Sequence, residues 1–212
     1  MPRDPQSPAG KGKKRAILEH YEPRIARDRE SFDILDWSDE ASQLARFHVL
    51  FSRVALAGKS LLDVGFGLGD LWGFLKAHDV PVRYVGVDLS AKMAQAAAHR
   101  QPDAHFLAAD VFDAPPFPPA AFDVVFSSGL LNLDVGNNRE FVPVAARRFV
   151  ELAREWAVFN LLHARAPVHH EGYVYYEPDE VARSLAELPC DIQVVDDYLP
   201  NDFTVFCRKR PQ

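Results

Sequence analysis

Two segments with helical periodicity lie near the start of the sequence. After them, strand-like and helical patterns alternate along the chain. Residues 16–30 are charged and show a helical period, whereas residues 38–57 carry apolar side chains such as Phe47 and Leu50 on one face. Ser38, which two acidic residues follow, is typical of a helix start. We therefore predict two helices before the main body of the protein.

From Lys59 onward, short apolar runs alternate with amphipathic stretches. This alternation is typical of an α/β fold, in which helices cover both faces of a mostly parallel sheet. The last two apolar runs are separated only by the turn-like segment 198–201, which predicts an antiparallel hairpin. The predicted strands are 60–65, 82–88, 105–109, 122–128, 156–162, 191–197 and 203–209, and the predicted helices are 70–78, 90–100, 138–154 and 178–188.

The N-terminal residues differ from the rest of the chain in charge. Residues 1–15 carry five basic side chains against Asp4, so the net charge of −6 leaves −10 for the remainder. We predict a disordered basic tail over 1–15, a helical extension over 16–57 that packs on the core, and one globular domain over 58–212. The acidic body disfavours a nucleic-acid partner, because nucleic-acid affinity comes largely from phosphate neutralisation.

Composition narrows the class further. No apolar run approaches the ~20 residues that a bilayer-spanning helix needs, and the basic N-terminus has no apolar segment behind it, so we expect a cytoplasmic protein with no membrane partner. Cys190 and Cys207 are too few for a disulfide framework or a zinc site, and we read them as buried, reduced thiols.

The most informative stretch is residues 61–70, an apolar strand that runs into a glycine-rich turn and then a helix. Glycines allow the backbone to approach a ligand closely and to adopt positive φ. A dinucleotide-binding turn has the form G-x-G-x-x-G, whose third glycine would fall at position 70. That residue is Asp70, which would repel a pyrophosphate. The turn therefore favours a cofactor without phosphates.

These residues resemble the first motif of class I S-adenosylmethionine (SAM)-dependent methyltransferases, acidic-x-G-x-G-x-G. The resemblance implies a Rossmann-like fold, SAM as cofactor and S-adenosylhomocysteine (SAH) as product. It implies that Asp88, at the end of the second strand, accepts the ribose hydroxyls, since a carboxylate suits a vicinal diol. It also implies that Asp110 takes the adenine amino group while the N–H of Val111 meets the ring. The residues that match the first motif are Asp63, Gly65, Gly67 and Gly69.

The predicted cofactor site also includes neighbours of these motifs. Phe66, Leu89 and Ser127 stand beside or opposite the motif residues in the predicted sheet. The methionine carboxylate needs a cation, and Arg46 is the candidate, with Gln43 one helical turn before it. A solvated surface arginine is the alternative interpretation of Arg46.

The acceptor pocket of this fold lies over the ends of the fourth and fifth strands. His163 directly follows the fifth strand, where a general base with a pKa near 6.5 would reach an acceptor hydroxyl. The adjacent histidines 169 and 170 define no coordination geometry, so we predict no metal. Polar side chains also follow both strands and occupy the hairpin: Ser128, Asn132, Asp134, Tyr173, Tyr175, Tyr176, Tyr198 and Asp202.

The function predicted from the sequence is methyl transfer from SAM to a small-molecule acceptor. The strand-four end reads Ser-Ser-Gly-Leu, which differs from the Asn/Asp-Pro-Pro-aromatic run of amino-methylating enzymes. Two alternatives stay open: a methyltransferase of RNA or protein, and a SAM-binding subunit without catalysis. The sequence leaves the acceptor and the oligomeric state undetermined.

Overall fold

The computed structural model describes residues 11–25, 30–113 and 116–210. This part of the chain forms seven strands, seven α-helices and a short 3₁₀ helix at Glu22–Arg24. The strands are β1 (Ser60–Val64), β2 (Arg83–Asp88), β3 (His105–Ala108), β4 (Phe122–Ser127), β5 (Ala153–Leu162), β6 (Cys190–Leu199) and β7 (Asp202–Lys209). The α-helices are α1 (Lys11–Tyr21), α2 (Ser31–Ile34), α3 (Glu40–Arg53), α4 (Asp70–Ala77), α5 (Ala91–Arg100), α6 (Asn138–Leu152) and α7 (Pro178–Ser184).

All seven strands belong to one sheet in the order β3-β2-β1-β4-β5-β7-β6. The first five strands in this order pair in parallel, whereas β7 is antiparallel to both of its neighbours, β5 and β6. The prediction of a mostly parallel sheet with a C-terminal antiparallel hairpin is confirmed. The chain passes from β1 to β2 on one side and returns to β4 on the other, which leaves a crevice at the carboxyl ends of β1 and β4.

Apolar layers cover both faces of the sheet. Successive residues of a strand point to opposite faces, so Leu61 and Leu62 are both buried but in different clusters. On one face Phe149 of α6 packs in the cluster that contains Leu62. On the other face Phe47 of α3 lies against Phe126 of β4, with ring centroids 6.3 Å apart. This packing fixes the strand ends on which the site is built.

Side-chain caps set two of the helix starts. The carboxylate of Asp39 accepts a hydrogen bond of 2.6 Å from the N–H of Ser42, so α3 begins at Glu40 rather than at the predicted Ser38. The prediction of Ser90 as the cap of α5 is confirmed, because its hydroxyl accepts from the N–H of Met93 at 3.1 Å. That cap leaves only two residues between the end of β2 and the start of α5.

The N-terminal boundary differs from the prediction. Residues 1–10 lie outside the described residues, but α1 begins at Lys11, so 11–15 are helical and not part of a disordered tail. This helix contacts the core, because Lys14 Nζ lies 2.7 Å from the Asp110 carboxylate after β3 and also contacts Asp113. Among the described residues, no helix is long and apolar enough to cross a membrane.

Candidate functional site

The glycine-rich turn joins β1 to α4 with a backbone that requires glycine. Gly65, Gly67 and Gly69 all have positive φ, at 76°, 58° and 79°. At Gly67 a Cβ atom would also come within 2.8 Å of the end of the Leu35 side chain, which would have to move, so the positive φ is the stronger reason for glycine. The turn therefore presents bare backbone at the crevice, as the sequence predicted.

Asp88 ends β2 beside this turn. Its carboxylate accepts hydrogen bonds from the N–H of Gly67 at 3.2 Å and from the N–H of Ser90 at 2.9 Å. Burial raises the pKa of Asp88 to about 6, and these backbone hydrogen bonds act in the opposite direction. The carboxylate thus holds the glycine turn and faces the crevice.

Asp110 follows β3, which lies next to β2 on the side away from β1. One carboxylate oxygen accepts from the N–H of Phe112 at 2.8 Å, and the other lies 2.7 Å from Lys14 Nζ. The helix that carries Lys14 therefore bridges the end of β3. Farther along the same segment, the Glu22 carboxylate accepts from the hydroxyl of Ser90 at 2.8 Å, which ties it to the end of β2 as well.

A cavity of about 750 Å³ opens over these strand ends. Six of the predicted cofactor residues line this cavity: Gly65, Gly67, Asp88, Leu89, Asp110 and Val111. Ser128, after β4, also lines the cavity, and its buried hydroxyl has no hydrogen-bond partner among the described residues.

Four of the predicted cofactor residues lie behind the cavity wall. Phe66 and Gly69 pack towards Phe106 of β3. Ser127 is buried, and its hydroxyl donates to the carbonyl of Val64 at 2.9 Å. The fourth is Asp63, which accepts a hydrogen bond of 2.8 Å from the Tyr84 hydroxyl. Burial raises the pKa of Asp63 to about 7. These residues support the turn from behind, and of the two serines at the end of β4 it is Ser128 that lines the cavity.

Arg46 is buried at the edge of the cavity, with 2% of its surface exposed, so the interpretation as a solvated arginine is wrong. Its Nε and Nη2 donate to one carboxylate oxygen of Asp202, at 2.8 and 2.5 Å, and its Nη1 donates to the carbonyl of Ser42 at 2.6 Å. The guanidinium also lies 4.2 Å from the centre of the Trp37 ring. Arg46 was predicted to pair with the methionine carboxylate, but Asp202 already balances its charge.

The position of His163 does not support its predicted role as a general base. The side chain is buried and does not line the cavity. Nδ1 accepts a hydrogen bond of 3.1 Å from the N–H of Arg165, and Nε2 lies 3.6 Å from the Asp196 carboxylate. Because the ring packs against Phe203 and both nitrogens face protein groups, His163 stabilises the start of the loop after β5.

The sequence prediction missed one part of the cavity wall. It consists of the N-terminal segment, which we define as residues 11–25 together with 30–38. No motif marks these residues, although two of their aromatic side chains, Tyr21 and Trp37, line the cavity. Tyr173 and Tyr175 line it from the loop after β5, as predicted, whereas Tyr176 is buried and donates to the carbonyl of Leu131.

Comparisons with known proteins agree with this geometry. A family model described as a methyltransferase domain matches residues 61–151, which run from β1 through most of α6. Among solved structures, magnesium protoporphyrin IX methyltransferase from Synechocystis PCC 6803 with bound SAH superposes with a TM-score of 0.66. That alignment has 13% identity and covers 92% of this chain and 95% of the other, so it shows the shared fold.

Two curated relatives are trans-aconitate 2-methyltransferases. The relative from Paracidovorax citrulli is 34% identical over 118 residues, which cover 55% of this chain and 43% of that protein. The relative from Afipia carboxidovorans is 28% identical over 156 residues, which cover 73% of this chain and 55% of that protein. The chain therefore spans about half the length of the curated relatives that it matches.

Proposed function

We propose that this chain, which matches a methyltransferase-domain family model over residues 61–151, is a class I SAM-dependent methyltransferase that methylates a small molecule. The observation that carries the proposal is the cavity of about 750 Å³, which is lined both by predicted cofactor residues and by apolar side chains such as Leu130, Leu133 and Phe141. Small-molecule sites of this kind are concave, largely apolar and of similar volume.

The residues around the cavity fit SAM. A ribose diol needs a buried acceptor, which Asp88 supplies, and the lack of a side chain at Gly65 and Gly67 allows a ligand to approach the backbone closely. The unpartnered hydroxyl of Ser128 is a further polar group for the ligand. When bound, SAM supplies a methyl group on a positively charged sulfur, which an acceptor atom displaces in line. The protein's contribution is to align the acceptor and to exclude water.

Trans-aconitate is one specific candidate for the small-molecule acceptor, because both curated relatives are named trans-aconitate 2-methyltransferase. A tricarboxylate requires cations that are free to pair with it. Three described cations line the cavity, and each already has a carboxylate partner: Lys14 with Asp110, Arg24 with Asp36, and Arg46 with Asp202. The lining contains five carboxylates, so its charge favours an acceptor that is neutral or positive.

A calorimetric titration with SAH and NADH tests the cofactor assignment. We expect SAH to bind and NADH not to bind, because Asp70 follows the glycine turn where a pyrophosphate would need a third glycine. SAH formation from SAM in the presence of candidate small molecules then tests catalysis. Failure of the folded protein to bind SAH would contradict the proposal, and SAH binding without turnover of any acceptor would favour a non-catalytic subunit.

The affinity for SAH should depend on pH through Asp88. A diol that donates to the carboxylate favours its ionised form, so a proton competes with the ligand below the pKa of about 6. Titrations from pH 5 to pH 8 should show an affinity that is constant above this pKa and falls by up to about tenfold per pH unit below it. Asp88→Asn should remove this dependence while Asp63→Asn retains it. A flat profile in the wild-type protein would contradict the assignment.

A further inference from the structure

A cluster of four polar side chains joins the N-terminal segment to the loop after β5 at the cavity. At its centre, the Asp36 carboxylate lies 2.8 Å from His20 Nε2 and also accepts hydrogen bonds from Arg24 and from the hydroxyl of Tyr173. All four residues line the cavity. None of them belongs to the motifs of the cofactor site.

The backbone at Asp36 is held in an uncommon conformation. Its φ is 59°, in the left-handed region that residues other than glycine rarely adopt. Such a conformation persists where surrounding contacts determine it, and it occurs often at functional sites. Here the three partners of the carboxylate supply those contacts. The conformation directs Asp36 towards His20 and Tyr173.

The hydrogen bond to Asp36 determines which nitrogen of His20 is available. In the neutral ring Nε2 donates to the carboxylate, which leaves Nδ1 as the acceptor, and no described residue makes a hydrogen bond with Nδ1. Burial and the positive charge of Arg24 lower the pKa of His20, which favours the neutral ring. The other titratable groups that face the ring are Asp36, Tyr21 and Tyr173, and the pKa of each tyrosine is raised to about 12.

We propose that His20, oriented by Asp36, is a general base that takes the proton from an uncharged methyl acceptor with a weakly acidic hydroxyl, such as a phenol. The inference rests on the methyltransferase function proposed above. In the step, the acceptor O–H bond breaks, its electron pair stays on oxygen, and the proton moves to His20 Nδ1. The oxygen then forms its bond to the methyl carbon, while the electrons of the methyl–sulfur bond remain on sulfur. The proton leaves His20 to solvent afterwards.

The chemistry of the cavity selects this acceptor class. The cavity lining includes apolar and aromatic groups such as Leu133, Phe141, Val168 and Tyr175. A planar, uncharged ring would pack on such groups without leaving a charge unpaired. A polycarboxylate would instead meet five carboxylates and cations that are already paired.

The test uses 4-nitrophenol, whose absorbance distinguishes phenol from phenolate, added to the SAH-bound protein over a range of pH. An imidazolium beside the bound phenolate lowers its ionisation midpoint, so the midpoint in wild type should lie about one pH unit below that in His20→Gln. His99→Gln, an exposed histidine on α5, is the matched control and should behave as wild type. In wild type, ring-nitrogen chemical shifts should also show one histidine gaining a proton when the probe binds.

The outcomes separate this proposal from the methyltransferase function. Calorimetric SAH binding tests the methyltransferase function alone, and the His20→Gln variant should still bind SAH. If SAH binds but 4-nitrophenol does not, the acceptor class is overturned. Equal ionisation midpoints in wild type and His20→Gln would overturn the role of His20. If His20→Gln fails to fold, the histidine shifts in wild type decide, because no protonation on probe binding would then overturn that role.

Discussion

Replacing Asp88 with alanine should weaken SAH binding by at least about 100-fold. A hydrogen bond to a charged group contributes about 1.5–3 kcal/mol, and a ribose diol would make two with this carboxylate, so their combined loss corresponds to two or more orders of magnitude. The same change frees the N–H of Gly67, which Asp88 holds at 3.2 Å, and so loosens the glycine turn. Calorimetric titration with SAH measures the effect.

The stability of Asp88→Ala should change much less than its affinity. Burial of the carboxylate raises its pKa to about 6, so at pH 7 the ionised group opposes folding, and its removal offsets part of the lost hydrogen bonding. Asp103→Ala is the matched control, because Asp103 is an exposed aspartate paired with Lys76. Wild-type SAH affinity in a folded Asp88→Ala protein would show that the cofactor binds elsewhere.

Breaking the ion pair between Arg46 and Asp202 should strongly destabilise the fold. Both side chains are buried, at 2% and 0% exposure, and Asp202→Asn would leave the guanidinium charge without its partner. Removing one member of a buried pair costs about 3–5 kcal/mol, because the remaining charge stays desolvated. Urea-induced unfolding of wild type and Asp202→Asn would measure this loss.

The double variant Arg46→Met/Asp202→Asn provides the control. Since neither residue is then charged, its loss of stability should be clearly smaller than the sum of the two single losses. If the loss of stability in the double variant equalled the sum of the two single losses, the two charges would not stabilise each other. Arg46→Met also tests the predicted contact with the methionine carboxylate, since normal SAH affinity in the folded variant would remove that prediction.

The parts of the fold and site that follow local patterns could be predicted from the sequence. The glycine turn and Asp88 stand at strand ends, and strands are recognisable because their apolar runs are short and bounded by turn residues. Ser127 and Ser128 show the limit of this approach. Adjacent residues of an extended chain point to opposite sides, so a shift of one position exchanges a structural hydroxyl for one that lines the cavity.

The N-terminal segment could not be assigned to the site from local patterns. Its placement depends on contacts with residues far along the chain, such as Lys14 with Asp110 and Asp36 with Tyr173. A charged helical period predicts a helix but does not predict what that helix covers. The prediction of His163 as a general base lacks support for a related reason. Its position after β5 suited a base, but its tertiary contacts turn the ring away from the cavity.

The pairing of Arg46 with Asp202 also bears on the order in which the protein folds. The two residues are 156 positions apart, and Asp202 begins the last strand. Contacts between distant residues form late, because a long loop must close before they stabilise anything. During synthesis, Arg46 therefore remains without its partner until β7 has emerged from the ribosome. The strands β1 to β4 precede Asp202 in the chain, but this edge of the cavity is completed only after Asp202 has been synthesised.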